Sequence, residues 1–310
     1  MEKGDELRYD HDFIRVAAYR PYVKSLTYYA KVITHRTYQQ DKIFPLEGAW
    51  DNCLIAVNVG NKDFNVLATD TLPDYHLNGD SVCVSMFRYE ATDRIDNITD
   101  WALDQFRKHY QPGRAKAKRS ITKEAIFHYV YGVLHDPVYR EKYALNLKRE
   151  FPRIPFYADF WQWANWGKTL MDLHIGYETV EPFELERIEA GPSPQPSARK
   201  RGEGASERAE APKPALKADK EAGRIVLDSQ TALSGVPPEA WDYKLGNRSA
   251  LEWILDQYKE KKPKDPTIRE KFDTYRFSDY KEKVIDLLMR VTRVSVKTQE
   301  IVEAMRKAAR

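Results

Sequence analysis

Between residues 11 and 90 the apolar positions come in short runs. The segments 13–19, 28–38, 53–59, 64–69 and 82–89 are rich in β-branched and aromatic side chains, a pattern that predicts strands. Gly60-Asn61 lies between two of these runs and predicts a hairpin turn. Pro21, Pro45 and Pro73 punctuate the others. From about residue 97 the apolar period lengthens to that of a helix. Ile98, Trp101, Leu103 and Phe106 mark a helix over 97–110. Residues 120–176 then predict a block of three close-set helices. Ile126, Val130, Val133 and Leu134 line the first, and Asp136-Pro137 caps and opens the second. That second helix carries Tyr139, Tyr143, Leu147 and Phe151 and is broken by Pro152 and Pro155. The third starts near Asp159, carries Phe160, Trp163, Trp166, Leu170 and Leu173, and stops at Gly176.

Residues 190–222 change character. Small, charged and proline residues dominate, and Leu216 is the one large hydrophobe, so this stretch reads as a flexible linker or insertion. Beyond it, 224–231 predicts a strand. Ser249 and Glu252 form a capping box opening a helix with Leu251, Ile254, Leu255 and Tyr258. A last helix uses Val284, Leu287, Leu288 and Val291 and continues to Arg310. The expected class is α+β: a β-rich part over 1–96, a helical part with the three-helix block over 97–189, the linker over 190–222, and a C-terminal strand with helices over 223–310.

Composition narrows the function classes. The chain has 310 residues, 42% hydrophobic and 31% charged, enough to bury a sizeable core. The mean hydropathy is −0.68, and no apolar run approaches the ~20 residues of a membrane helix, so no membrane is expected as a partner. Residues 1–6 are polar and acidic, unlike a secretory signal. Two cysteines, Cys53 and Cys83, suit buried thiols in a reducing compartment rather than a disulfide framework, and the expected location is the cytoplasm. The net charge of +3 is too mild to announce a nucleic-acid partner, which must be sought in local charge. Nineteen tyrosines suit half-wet surfaces, whether a binding face or the periphery of a core.

Familiar catalytic motifs are missing: no Gly-rich phosphate loop, no GxGxxG, no His-Glu-x-x-His, no paired CxxC, no GxSxG. No Glu-x-Lys follows Pro73-Asp74 as a nuclease would want, and no Asn-Pro-Pro-Tyr marks an adenine methyltransferase. The seven histidines are scattered, and no metal site or active site is expected within this chain.

Four features bear on binding. Residues 107–123 carry Arg107, Lys108, Arg114, Lys116, Lys118, Arg119 and Lys123 without one acid, a density that can neutralise several phosphates. Tyr19-Arg20-Pro21-Tyr22, followed by Lys24, offers groups for guanine or phosphate. Trp241 to Arg248 leads into a helix N-terminus, where phosphate contacts are natural. Trp161, Trp163 and Trp166 cannot share one helix face; Trp163 and Trp166 are expected in the core and Trp161 on a partner surface.

At these residues the chain resembles the C-terminal specificity domain of Type ISP restriction-modification enzymes, which take part in phage defence. The resemblance is carried by 121–137, 143–155, 170–174, 243–253, 265–268 and 275–280, and covers nearly everything outside 190–222. Tyr19-Arg20-Pro21-Tyr22 resembles the family's Tyr-Arg-Pro-Phe-Asp element, with Val23 in place of the acid. The resemblance implies a target-recognition domain that reads a short asymmetric site in double-stranded DNA. Its partners would be the methyltransferase and helicase/nuclease parts of a full-length enzyme. No cofactor is expected here; S-adenosylmethionine, ATP and Mg would serve upstream parts only. Charge and loop position assign DNA contacts to Arg20, Tyr22, Lys24, Arg36, Arg114, Lys116, Lys118, Arg119, Tyr243, Asn247 and Arg248. The alternative is a helical protein-interaction module, docking through Trp161 and the linker.

Overall fold

The computed structural model describes residues 8–30, 32–34, 38–45, 51–58, 63–90, 93–111, 119–190, 212–261, 264–272 and 275–310. Strands β1 (Ile14–Arg20) and β2 (Val23–Tyr28) form an antiparallel hairpin. Among the described residues of 28–38 only Tyr28 lies in a strand: β2 lies earlier, starting right after the Pro21-Tyr22 turn, and ends where that run begins. Its polar outer positions, Lys24, Ser25 and Thr27, hid it from the apolar pattern. A short helix, α1 (Gln40–Ile43), follows.

The middle sheet is built from β3 (Leu54–Asn58), β4 (Asn65–Thr69) and β6 (Ser81–Ser85), with β3 central. The short β5 (Leu72–Pro73) runs parallel beside β1. Every residue of β3 and β4 is buried, so their apolar runs are continuous rather than alternating. The expected strand over 82–89 is split at Met86 into β6 and β7 (Phe87–Glu90), and β7 pairs with β8 (Asp93–Asp96). Gly60-Asn61 lies outside the described residues.

Helix α2 (Asp100–Tyr110) is capped by Thr99, and α3 (Lys123–His135) by Thr122. Asp136 then caps α4 (Pro137–Lys142), which breaks at Tyr143 and resumes for one turn as α5 (Ala144–Leu147). The second helix of the expected block is therefore two short pieces. Residues 151–157 run extended because tyrosine hydroxyls satisfy their carbonyls: Tyr139 donates to Arg153 O at 2.9 Å, Tyr129 to Pro155 O at 2.8 Å and Tyr110 to Tyr157 O at 2.7 Å. Helix α6 (Phe160–Ile175) opens on the Asp159 cap. It meets α3 backbone to backbone: a Cβ on Gly167 would fall 1.7 Å from the His128 carbonyl oxygen.

The linker expectation is corrected in part. Residues 214–219 form a strand, β10 (Pro214–Asp219), whose Leu216 is only 1% exposed. Together with β9 (Glu186–Glu189), β11 (Arg224–Asp228) and β12 (Thr231–Ser234) it makes a four-stranded sheet in the order β10-β11-β12-β9. The single C-terminal strand expected is thus a hairpin within that sheet. Residues 191–211 lie outside the described residues. Helix α7 (Pro238–Asp242), the tiny hairpin β13 (Lys244–Leu245) and β14 (Arg248–Ser249), α8 (Ala250–Gln257), α9 (Pro266–Phe272) and α10 (Lys281–Arg306) complete the chain.

Two hydrophobic cores flank the middle sheet. Ile55, Val57, Val66 and Ala68 face the helices, packing with Tyr129, Trp163 and Leu170. Ala56 and Leu67 face the C-terminal half, with Leu227, Trp241, Leu251 and Leu288. α10 contributes Val284 to Val294 to one core and Met305 to the other. Each core thus draws residues from both sides of the boundaries expected at 96 and 223. No helix is long and apolar enough to cross a membrane among the described residues.

Candidate nucleic-acid interface

The first group of expected contacts sits at the β1–β2 corner. Pro21 and Tyr22 make the turn, with Tyr22 in the left-handed region at φ +60°. That conformation turns the Tyr22 ring inward. Its hydroxyl lies 2.8 Å from the Tyr243 hydroxyl, and its ring meets Tyr177 edge-on at 5.1 Å. Both partners are buried, Tyr22 at 3% and Tyr243 at 5% exposure. Burial pushes the Tyr22 hydroxyl well above its ordinary pKa. The two tyrosines expected on DNA are therefore core residues that join the N-terminal hairpin to the C-terminal half. Arg20, by contrast, lies at the edge. Its Nη1 donates to Asp74 Oδ1 at 2.7 Å, and its guanidinium carbon stands 4.1 Å from the Tyr19 ring centre. Lys24 pairs with Glu178 at 2.6 Å and lies 5.3 Å from the Tyr177 ring. Arg36 lies outside the described residues.

The second group is the β13–β14 hairpin. Leu245 and Tyr243 are buried at its root, Gly246 takes φ +73° in the two-residue turn, and Asn247 is exposed at the tip. Glycine suits this turn because it enters the left-handed region without a steric cost. The turn is braced from both sides. Trp253 Nε1 donates to Leu245 O at 2.9 Å, and the Ser249–Glu252 capping box fixes the start of α8. A Cβ on Gly246 would stand 3.6 Å from Asn65 Nδ2. Asn65 opens β4 within a buried asparagine cluster, where Asn58 and Asn65 both donate to Asn78 O, at 3.2 and 3.1 Å. Arg248 Nη1 donates to Asp256 Oδ2 at 3.0 Å, with its guanidinium 5.2 Å from the Trp253 ring.

The third group is the basic segment. Arg114, Lys116 and Lys118 lie outside the described residues. Arg119 is described, and its guanidinium stacks 3.7 Å from the Trp161 ring centre. Trp161 is half-buried and packed edge-on against Phe160, so it is covered and not the exposed docking residue expected. Lys123 pairs with Asp100 at 2.8 Å, and Arg107 donates to Ile121 O at 2.9 Å.

The structure therefore gathers the first two groups and sets Arg119 apart. Tyr22 and Tyr243 touch, and both pack on His174 near the end of α6. Arg119 rests on Trp161 at the beginning of the same helix. Thirteen residues of helix separate those positions, about 20 Å, or roughly six base-pair steps of duplex at 3.4 Å each. The acids that hold the expected cations, Asp74, Glu178 and Asp256, were not identified from the sequence as their partners. Asp74 is 54 residues from Arg20 and Glu178 is 154 from Lys24, distances over which pairing leaves no local signal.

Among the described residues no cluster of His, Cys, Asp or Glu is fit to hold a metal. Cys53 and Cys83 are free, and burial pushes both thiols up to about 12.

The sequence model of the Type ISP C-terminal specificity domain matches residues 1–287. Three solved structures share the architecture. The cryo-EM structure of the DrdV–DNA complex is 46% identical over 97% of this chain, which spans 29% of the DrdV chain, with a TM-score of 0.86. A nuclease-deletion mutant of the Type ISP restriction-modification enzyme LlaGI, in complex with a DNA substrate mimic, is 27% identical over 97% of this chain and 25% of its own, with a TM-score of 0.70. The ATP-dependent Type ISP enzyme LlaBIII bound to DNA shares the fold at 23% identity and a TM-score of 0.76, over 99% of this chain and 19% of its own. The chain spans less than a third of the length of each. No curated protein matches it.

Proposed function

The chain belongs to the family of Type ISP C-terminal specificity domains, and from that membership we propose that it recognises a short target sequence in double-stranded DNA. The observation that carries this reading is its 46% identity, over 97% of its length, to part of a protein solved in complex with DNA. The projecting turn at Asn247 and Arg248 is the candidate reader of base edges: it is narrow, braced and ends in amide and guanidinium groups. Arg20 is the second candidate reader. Arg114, Lys116, Lys118 and Arg119 would hold phosphates, Arg119 from the opposite end of α6, positioning the duplex without reading it. Lys24 and Arg36 would add to the backbone contacts. Tyr22 and Tyr243 would act from inside, fixing the two reading elements to each other.

In this proposal the domain directs methylation and cleavage performed by other parts of a longer enzyme. Those parts would be its protein partners and the users of S-adenosylmethionine, ATP and Mg. The test is selection of the purified chain against a random duplex pool, followed by sequencing of the retained DNA. Enrichment of one asymmetric motif of several base pairs supports target recognition. Retention without a motif, or no retention, counts against it.

A further inference from the structure

Unlike Arg20, Lys24, Lys123 and Arg248, Arg140 has no acid to hold it among the described residues. It lies on α4 one turn beyond Asp136, the carboxylate whose charge it feels most closely. That carboxylate is already taken. Arg310 donates to its two oxygens from Nη2 at 2.5 Å and Nε at 2.8 Å, and the Tyr157 hydroxyl donates to it at 2.7 Å. Arg140 turns its Nε to the Leu134 carbonyl at 2.6 Å, in the last turn of α3. Its guanidinium carbon stands 5.5 Å from the Phe64 ring centre. Tyr131, Tyr243, His135 and His174 also interact with it and carry no negative charge. Desolvation there lowers the guanidinium to about 10. The side chain is half-buried, and its two terminal amino groups have no acceptor among the described residues.

The position of this group suggests what its free donors are for. Phe64 leads into β4 beside Asn65, which Gly246 of the turn approaches, and Tyr243 is the root of the β13–β14 hairpin, so two of the residues around Arg140 adjoin the elements of that turn. A desolvated cation without a partner is costly to keep in a fold. A guanidinium with Nε anchored still presents two parallel donors, the geometry that matches a phosphate.

Resting on the reading that the domain grips duplex DNA, we propose that Arg140 holds a backbone phosphate of that duplex through its two terminal amino groups. A phosphate is favoured over a base edge because Arg140 is recessed while Asn247 is exposed. The protruding turn enters a groove, and the recess meets the strand that borders it.

The experiment measures affinity of the whole chain for a 30-base-pair random-sequence duplex across a salt series, for the parent and Arg140→Gln. The expected result is binding weakened about tenfold or more at low salt, equally on all sequences, with the slope of log affinity against log salt reduced by about one. Unchanged affinity and slope in Arg140→Gln overturn the assignment while leaving the domain's function standing. So does a loss confined to one enriched sequence with the slope intact, which would mark a base contact. A parent chain that binds no duplex overturns the function itself, and this assignment with it. Should Arg140→Gln fail to fold, Arg140→Lys keeps the charge but not the fork. It is expected to preserve the slope and weaken binding, and parental affinity in that variant overturns the proposal.

Discussion

The contact between α3 and α6 makes a sharp prediction. Replacing Gly167 with alanine adds one methyl group, and its carbon would stand 1.7 Å from the His128 carbonyl oxygen and 2.7 Å from the Gly132 amide nitrogen. Ordinary contact begins near 3.4 Å, so the helices must part by about 1.7 Å. Both opposing atoms are backbone, and no side-chain rotation relieves the clash. A gap of ~1 Å already forfeits up to half of a dispersion contact, and this one would open along an interface that buries Trp163, Leu170 and Tyr131. Overpacking of a core costs about 1–3 kcal/mol and occasionally more; the backbone opposition puts Gly167→Ala at about 3 kcal/mol or above. With a urea m-value of about 3 kcal/mol/M, the unfolding midpoint should fall by about 1 M. Gly132→Ala is the internal comparison. Its nearest obstacle is the Trp163 carbonyl oxygen at 2.5 Å, so the same logic predicts a smaller loss. A Gly167→Ala midpoint within ~0.2 M of the parent, or a milder effect than that of Gly132→Ala, would refute the close approach.

Three further outcomes are expected. His174 is fully enclosed and bonded at both ring nitrogens, to the Tyr131 hydroxyl at 2.6 Å and to Thr298 Oγ1 at 2.9 Å, and burial lowers its pKa to about 3. The unfolded chain takes up a proton below about pH 6.5 that the folded ring refuses until about 3. Stability is therefore present above pH 6.5 and lost on acidification through that window, by up to about 1.4 kcal/mol per pH unit from this residue. The gap between urea midpoints at pH 7 and pH 5 should narrow in His174→Asn, with buried His135 sustaining part of it, and an unchanged gap would refute the assignment. Arg310→Met removes the charged donor from buried Asp136 and should cost about 2 kcal/mol in chemical unfolding; a silent substitution would mean that Tyr157 and the Val138 amide satisfy that carboxylate alone. Arg248→Ala should relax sequence preference at one base in duplex selection, whereas changing Lys116, Lys118 and Arg119 together should weaken all sequences alike. The reverse pattern would exchange the roles of the two groups.

Where the sequence revealed the fold, the reason is that the determinants are local. Asp136 before Pro137 and the Ser249–Glu252 box each fix a helix start within four residues and form as expected, and the helix expected to start near Asp159 opens on that residue as its cap. The continuous apolar runs at β3 and β4 also needed only their own side chains. Strand β10 escaped because most of what holds it lies elsewhere. Its residues are small, charged or proline except at Leu216, and pairing with β11, plus one leucine inserted into the core, is what orders it. The break at Tyr143 escaped for a related reason. The helical period continues to Phe151, but the backbone beyond is extended by tyrosine hydroxyls from α2, α3 and α4.

The interface residues show the same limit in a form that bears on function. A tyrosine beside an arginine reads equally well as a DNA contact or a core anchor, and the deciding contact for Tyr22 comes from a residue 221 positions away. Arg20 and Arg248 are partly exposed, and the sequence did not show that they are already engaged. Arg20 and Arg248 each commit one amino group to a carboxylate, at 2.7 and 3.0 Å, and lie beside an aromatic ring. Such pairing lowers the free charge offered to any duplex, which suits a domain of net charge +3. It also holds the guanidinium planes before DNA arrives, so less rotamer freedom is lost on binding. A lysine at either position would keep the charge and lose the plane. Under this reading the acids Asp74 and Asp256 serve specificity rather than affinity: they weaken the pull toward every phosphate and orient the donors that discriminate among bases.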